Sequence, residues 1–196
     1  MPDTPGLMPH TPALLPSASF RYCPRCGQGP VAPLQAPLFT CPGCGFHYHF
    51  NPAAAAGVIA EDREGRLLLI RRAKEPGRGL LGVPGGFVEI GESAELSARR
   101  EAGEETGIEV EGLRFLGSWP NLYEWKGIAY PVVDLYFTGR TRDGSTASAR
   151  HEVEEVLWLR PDEVDPETLA FPTTRAAFAR YREERAHGRE DASPAR

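Results

Sequence analysis

The chain has 196 residues, with 22 basic against 27 acidic side chains and a formal net charge of −5; its length suits one domain of ordinary size and a small appendage. That balance disfavours a broad nucleic-acid footprint, and no apolar run approaches membrane-spanning length, so no membrane partner is expected. The start of the chain lacks a basic region followed by an apolar segment, so no secretory leader is expected and the cytoplasm is the expected location.

Residues 1–19 are proline-rich and aperiodic and read as a disordered tail. Residues 20–50 hold all four cysteines, in Cys23-Pro-Arg-Cys26-Gly and Cys41-Pro-Gly-Cys44-Gly, with fourteen residues between the pairs. Two CxxC pairs at this spacing match a four-thiolate structural Zn²⁺ site, a zinc ribbon. The glycine after each second cysteine lets the backbone turn around the sulfur. Disulfides are the competing use, and a non-secreted chain argues against them; a redox CxxC needs only one pair. Four thiolates leave no open position for water, so the expected site is inert. His47 and His49 are alternative ligands or alternating residues of a strand, and the complete tetrahedron favours the strand. A ribbon of this size reads as a staple for the neighbouring domain or for a dimer interface, in preference to a contact with substrate or a macromolecule. A homodimer stays open.

Asn51-Pro52 marks the start of a second domain, expected over residues 51–187 and followed by a short tail over 188–196. Residues 54–60 and 66–71 read as strands joined by a polar turn, and a glycine-rich approach follows over 75–86. Arg71 and Arg72 leave the second strand towards this approach, either to steer an anionic group or as plain surface charges. Then comes Gly86–Ile108, GFVEIGESAELSARREAGEETGI. It predicts a short strand at Phe87-Val88, a turn at Gly91, a helix over 93–106 and a C-cap at Gly107. At about 100° per residue, Glu101, Glu104 and Glu105 fall on one quadrant of that helix, sharing it with Ala94 and Ala98. Acids in the last turns oppose the helix macrodipole. A charge run is usually a solvated face, but this placement points to a ligand set for Mg²⁺ or Mn²⁺, which prefer hard oxygen donors. A main-chain carbonyl at Gly85 or Gly86 could join that set.

Beyond it, residues 113–119 and 128–138 read as strands. The aromatic stretch Trp119–Trp125 between them reads as a loop, able to stack on a nucleobase or to cover the core edge. Residues 140–150 are small and polar and read as a mobile loop ahead of His151-Glu152-Val-Glu154-Glu155 and a strand over 156–160. A short helix is expected from Pro161 and an amphipathic one over 173–187. Strands mixed with two main helices define an α/β sandwich, and no internal repeat is present.

The spacing Gly86, five residues, Glu92, seven residues, Arg100-Glu101-Ala102-Gly103-Glu104-Glu105-Thr106-Gly107-Ile108 resembles the Nudix box. Every invariant position is filled; the one soft departure is Ala102, where a larger aliphatic is more usual. The resemblance implies a Nudix α/β/α sandwich with a mixed sheet, here preceded by a small zinc ribbon. It also implies Mg²⁺-dependent hydrolysis of a nucleoside diphosphate linked to another moiety, a small molecule. Glu101 and Glu105 are then the principal metal ligands, with Gly86 beside them and Glu104 as third ligand or base. Arg100 pairs with and positions a glutamate, and Glu92 steadies helix and loop. A carboxylate from the downstream loop completes the site or acts as base, Glu152 first and Glu155 second. A ribbon ahead of a Nudix domain is similar to NADH pyrophosphatases and to a group acting on ADP-ribose or FAD. The NADH signature S-Q-P-W-P-F-P-x-S is not matched by Gly117–Tyr123 (GSWPNLY), whereas Leu169-Ala170-Phe171-Pro172 resembles the ADP-ribose/FAD group. NADH or NAD pyrophosphatase and RNA NAD-decapping are the alternatives. A nucleotide- or RNA-binding regulatory module is the non-enzymatic one.

Overall fold

The computed structural model describes residues 15–30, 37–142 and 147–190, the side chains of 188–190 apart. Its Cα positions divide into two units, Met1–Pro52 with Leu122–Pro131, and Ala53–Asn121 with Val132–Arg196.

The cysteine-bearing segment contains one small sheet, β1 (Leu38–Thr40) antiparallel to β2 (His47–His49). His47 and His49 are exposed strand residues, as expected from their alternation, and Thr40 Oγ1 lies 3.0 Å from His47 Nδ1. Phe39 is buried with Cys23 and Cys41, and Phe20, Phe46 and Phe50 pack against them. The tail expected over residues 1–19 lies outside the described residues as far as residue 14. Its last part is corrected: Pro16–Ser19 form a 3₁₀ turn with proline at the start and Ser17 buried, because proline's restricted φ suits the first helical positions.

The second unit is built on β3 (Ala53–Glu61) and β4 (Leu67–Arg72), apolar runs with central residues buried on both faces. Along β3, Ala56, Val58 and Ala60 pack with Ala98 and Ala102 of helix α1 (Ala94–Thr106). Ile59, between them, packs with Leu67 and Leu69 and with Ala177, Phe178 and Tyr181 of helix α2 (Pro172–Glu190). Successive strand residues point to opposite faces, so the two helices cover opposite sides of the sheet in three layers. Among the described residues, seven strands form that sheet, including β5 (Leu81–Gly82), β6 (Gly85–Phe87), β7 (Val110–Trp125), β8 (Ile128–Thr141) and β9 (Val153–Leu159). The order is β5-β4-β3-β8-β7, with β6 on β3 and β9 on β4. β3 runs parallel to β8 and antiparallel to β6, which makes the sheet mixed.

Three expectations are corrected. Trp119–Trp125 is the second half of β7, not a loop; β7 ends the sheet order, where Pro120 needs no ladder partner. The chain reverses instead at Lys126-Gly127, both with positive φ (50° and 79°), as a two-residue hairpin of the I′ kind requires. No helix begins at Pro161: Asp165 is extended before Pro166, as residues before proline prefer, and caps a 3₁₀ turn over Pro166–Thr168. The C-terminal helix continues to Glu190, into the tail expected from 188, and residues 191–196 lie outside the described ones.

Candidate active site

Helix α1 starts where Ser93 Oγ accepts the Leu96 N–H and stops at Gly107, which takes the left-handed conformation (φ 74°). Ser97, Ala98, Ala102 and Thr106 form its buried stripe. Ala98, which shares its quadrant with the acids, belongs to that stripe. It is fully buried, and with Ala102 it lets the helix lie close on β3. That close approach brings the acids to the glycines of β6.

Glu105 is the most deeply placed of the three. Its Oε2 accepts the Gly85 N–H at 3.0 Å. Burial pushes its carboxyl up to about 8, against the pull of the Gly85 N–H and the Arg72 cation; Glu101 and Glu152 push the same way as burial. Glu101 is raised in the same direction, chiefly by burial and partly offset by Arg100. Arg100 organises the remaining acids. It grips Glu92 with Nε and Nη2 (3.0 and 3.1 Å), donates to Glu101 Oε1 (2.8 Å) and Glu104 Oε2 (3.1 Å), and reaches the Phe87 carbonyl (3.1 Å). Its hydrogen bonds hold the Glu92 carboxyl below its usual range, and the Glu89 N–H donates to the same carboxylate. Helix and preceding turn are thereby tied together. Glu101, Glu104 and Glu105 are adjacent but not converged, because Arg100 draws the first two and Gly85 the third. Among the described residues, only the four cysteines bring three or more potential ligand atoms within 4.8 Å of one another.

The segment expected as a mobile loop divides differently. Residues 143–146 lie outside the described ones. On one side β8 continues to Thr141; on the other, the Ser148 and Arg150 N–H groups donate to the Thr106 and Glu105 carbonyls, both at 3.0 Å. These satisfy the last turn of α1 and dock the loop beside the acids. The Glu152 carbonyl then accepts the Ala73 N–H (2.9 Å), and its carboxylate pairs with Lys74 (2.6 Å). Glu152 thus stands where its charge is felt at Glu105. Glu155 is directed elsewhere, to Arg71 at 2.9 Å.

The two arginines at the end of β4 have different surroundings. Arg71 is ion-paired to Glu155 and also donates to the Gly79 carbonyl. Arg72 has no carboxylate within ion-pair distance among the described residues. Its Nε donates to the Pro76 carbonyl at 2.8 Å, and its guanidinium lies 4.9 Å from the centre of the Phe171 ring. Trp119, expected either at a nucleobase or at the core edge, packs on Tyr136 in the core, ring centres 5.7 Å apart.

Gly85 and Gly86 are glycines for different reasons. A Cβ at Gly85 would meet the Ala56 carbonyl oxygen at 2.5 Å and the Gly57 Cα at 2.7 Å, both backbone atoms. At Gly86 it would strike the Glu101 carboxylate, the far end of a flexible side chain. Gly85→Ala is therefore expected to lower the melting temperature by several degrees, the scale of ~1–3 kcal/mol overpacking. Gly86→Ala is expected to melt within about two degrees of wild type and, if Glu101 binds Mg²⁺ as the resemblance implies, to raise the Mg²⁺ concentration needed for activity about tenfold by displacing that carboxylate. Calorimetry and a magnesium titration of activity check the contrast; equal effects on melting would contradict it.

In the cysteine segment, the Gly27 N–H donates to the Cys23 carbonyl (2.9 Å) and the Gly45 N–H to the Cys41 carbonyl (3.0 Å). Both glycines have positive φ (75° and 69°), so the two knuckles repeat one geometry. Cys23 and Cys44 sulfurs lie 3.7 Å apart, as do Cys26 and Cys41. A tetrahedron with metal–sulfur bonds of about 2.3 Å has edges of about 3.8 Å. The cysteines are all free thiols; backbone N–H groups of Cys44 and Gly43 help to draw Cys41 down to about 6, while burial and the neighbouring sulfurs of Cys26 and Cys41 push Cys44 up to about 12, so without a metal the cluster gives up one thiol proton readily and holds another. Residue types and spacing both fit zinc.

Sequence reading did not identify Gly85 as a donor, the 147–150 cap on α1, or the partner of Arg72. Each depends on a contact between segments far apart in the chain, and no local pattern signals it.

The crystal structure of a NUDIX hydrolase from Nitrosomonas europaea is similar to this chain with a TM-score of 0.69 and 28% identity, covering 86% of this chain and 93% of that one. The fold is therefore the Nudix α/β/α sandwich. Residues 51–181 match the NUDIX domain, and the chain belongs to that family. Among curated proteins it is 29% identical over 153 residues to the NAD-capped RNA hydrolase NudC of Haemophilus influenzae, 76% of this chain and 54% of that protein. It is 30% identical over 155 residues to the NudC of Mannheimia succiniciproducens, 76% of this chain and 55% of that one. The chain spans about half the length of these curated relatives.

Proposed function

We propose that the chain hydrolyses the diphosphate bond of a nucleoside diphosphate linked to a second moiety, ADP-ribose and FAD first, releasing a nucleoside monophosphate and the phosphorylated second moiety. One observation carries this reading. A half-buried carboxyl group, that of Glu105, is held against the Gly85 N–H beside two further acids, within a motif whose spacing matches the family. Glu101, Glu105 and the Gly86 carbonyl are the groups that would hold Mg²⁺ or Mn²⁺, with Glu104 as third ligand or base. They fit such an ion: the donors are hard oxygens, and burial makes uncompensated charge at Glu105 costly. When bound, the ion supplies charge neutralisation at the diphosphate and a more acidic water.

The chain's own residues supply the rest. Arg100 holds Glu101 and Glu104 in place through its grip on Glu92 and the Phe87 carbonyl. Arg72, a cation without a carboxylate partner among the described residues, meets the anionic diphosphate. Glu152, held by Lys74 and by its carbonyl bond to Ala73, takes the proton from the attacking water. Cys23, Cys26, Cys41 and Cys44 hold a structural Zn²⁺ that staples residues 20–50 ahead of the hydrolase domain over 51–187. The site of action is the cytoplasm and the substrate a small molecule; no described helix is long and apolar enough to cross a membrane.

A second reading, NADH, NAD or NAD-capped RNA as substrate, is favoured by the names of the curated relatives. Against it, Gly117–Tyr123 departs from the NADH signature, and its Trp119 and Asn121 are engaged with Tyr136 and Asp134. A panel of ADP-ribose, FAD, NADH and NAD-capped RNA with Mg²⁺, read by product chromatography, decides. AMP and ribose 5-phosphate from ADP-ribose are the expected leading products. Fastest turnover of NADH or capped RNA would favour the second reading, and inertness towards all four would overturn both.

A further inference from the structure

The residues Leu169–Thr174 form a strap tied down at both ends. On one side Leu169 bridges Leu81 in parallel, and the Ala170 N–H donates to the Leu81 carbonyl at 2.8 Å. On the other, Thr173 Oγ1 donates to buried Asp134 Oδ2 at 2.6 Å, and Thr174 Oγ1 lies 2.8 Å from the Tyr136 hydroxyl. Asn121 Nδ2 donates to that same Asp134 oxygen at 2.8 Å, so the anchor reaches from β7 through β8 into the first turn of α2. Gly77 lets the strap come close: a Cβ there would sit 2.8 Å from the Ala170 Cβ and 3.6 Å from the Arg72 Cδ.

Phe171 lies between the two anchors. Its ring faces Arg72, whose Nε is occupied by the Pro76 carbonyl. The backbone of Arg72 is itself placed, since its N–H donates to the Leu80 carbonyl and the neighbouring Ala73 N–H to Glu152. The guanidinium is thus confined by a ring face and one carbonyl, with its terminal N–H groups uncommitted to any carboxylate among the described residues. A guanidinium held flat has less freedom to lose when it receives two phosphate oxygens at once.

We infer that Phe171 is a positioning residue for the diphosphate: through the strap, the fold uses its ring to hold Arg72 beside the acidic site in the orientation that receives a phosphate group. This rests on the proposed reaction for the place of the diphosphate, but it concerns binding, so inorganic pyrophosphate alone serves as the probe. In the 196-residue chain, the Arg72 Nε–H signal in NMR spectra is expected to be shifted by the ring, slow to exchange, and moved by pyrophosphate. Phe171→Ala loses the first two features and weakens pyrophosphate binding about tenfold, the scale of one cation–π contact; Phe171→Tyr restores all of them. Arg72→Ala weakens binding by at least as much, and the double variant binds no more weakly than Arg72→Ala, since Phe171 acts only through the arginine. Wild-type-like pyrophosphate binding by Phe171→Ala overturns the inference, as do losses that multiply in the double variant or a wild-type protein that does not bind pyrophosphate. A normal melting temperature for Phe171→Tyr with binding as weak as in Phe171→Ala also overturns it. Should these signatures hold while none of ADP-ribose, FAD, NADH and NAD-capped RNA is cleaved, the proposed reaction fails and the placement of Arg72 by Phe171 stands.

Discussion

Glu105→Gln is expected to lower kcat by about 10³-fold or more, the equivalent of roughly 4 kcal/mol of lost transition-state stabilisation, with the fold intact. The amide is isosteric, and its oxygen can still accept the Gly85 N–H that the carboxylate accepts now. What it loses is the negative charge that a divalent ion needs. The same substitution removes a cost. In the folded protein without magnesium, the Glu105 carboxyl is raised from the usual 4.5 to about 8 by burial and by Glu101 and Glu152. Between those two values the native state binds more protons than the unfolded one, so this group makes stability fall as pH rises. Its contribution is unpenalised below about 4.5 and fully penalised above about 8. In magnesium-free buffer the wild-type melting temperature should therefore decline from about pH 5.5 to about 8.5 more steeply than that of Glu105→Gln, and added Mg²⁺ should flatten the difference. Identical pH slopes for the two proteins, or wild-type turnover by the variant, would remove Glu105 from its assigned role.

Removing one cysteine is the other large effect. Cys41→Ser is expected to abolish zinc content and to leave the backbone amides of residues 38–49 unprotected from hydrogen exchange. The segment's own core is small, with Phe39, Cys23 and Cys41 buried in it. Structural zinc sites contribute on the order of 10 kcal/mol or more to folding, and without that contribution the burial in this small cluster must offset about 1–2 kcal/mol of backbone entropy for every residue ordered. The knuckle bonds Gly27 N–H to Cys23 and Gly45 N–H to Cys41 are short-range and exposed to competition from water once the metal is gone. Metal analysis of the purified protein and exchange mass spectrometry read both outcomes. Full protection of residues 38–49 in a zinc-free variant would show that the thiols are spectators.

These two sites were legible in the sequence to different depths. The cysteine knuckles depend on spacing and glycine, both local, and the structure brings all four sulfurs together. The helix of the acids was equally plain, from its Ser93 cap to Gly107. Its alanines were harder to interpret: the periodicity shows that Ala98 shares a face with acids but not that the face approaches β3. Trp119–Trp125 misled because Pro120 and Asn121 look like loop residues, whereas an edge strand tolerates both when Asp134 waits opposite Asn121. Arg72 and Arg71 are indistinguishable by type. Only the tertiary fold gives one a glutamate and the other a phenylalanine ring. Long-range pairings of this kind, β4 with β9 or Leu81 with Leu169, carry no local signature.

On the proposed reading, the acids at the end of α1 hold a divalent ion where a diphosphate is cleaved. Anomalous diffraction from crystals soaked in Mn²⁺ with ADP-ribose shows whether they do. The expected peak is bonded to carboxylate oxygens of Glu101 and Glu105, next to the Gly86 carbonyl and the diphosphate. A map with Mn²⁺ bound elsewhere, or with the diphosphate ordered and no ion among these acids, contradicts the account.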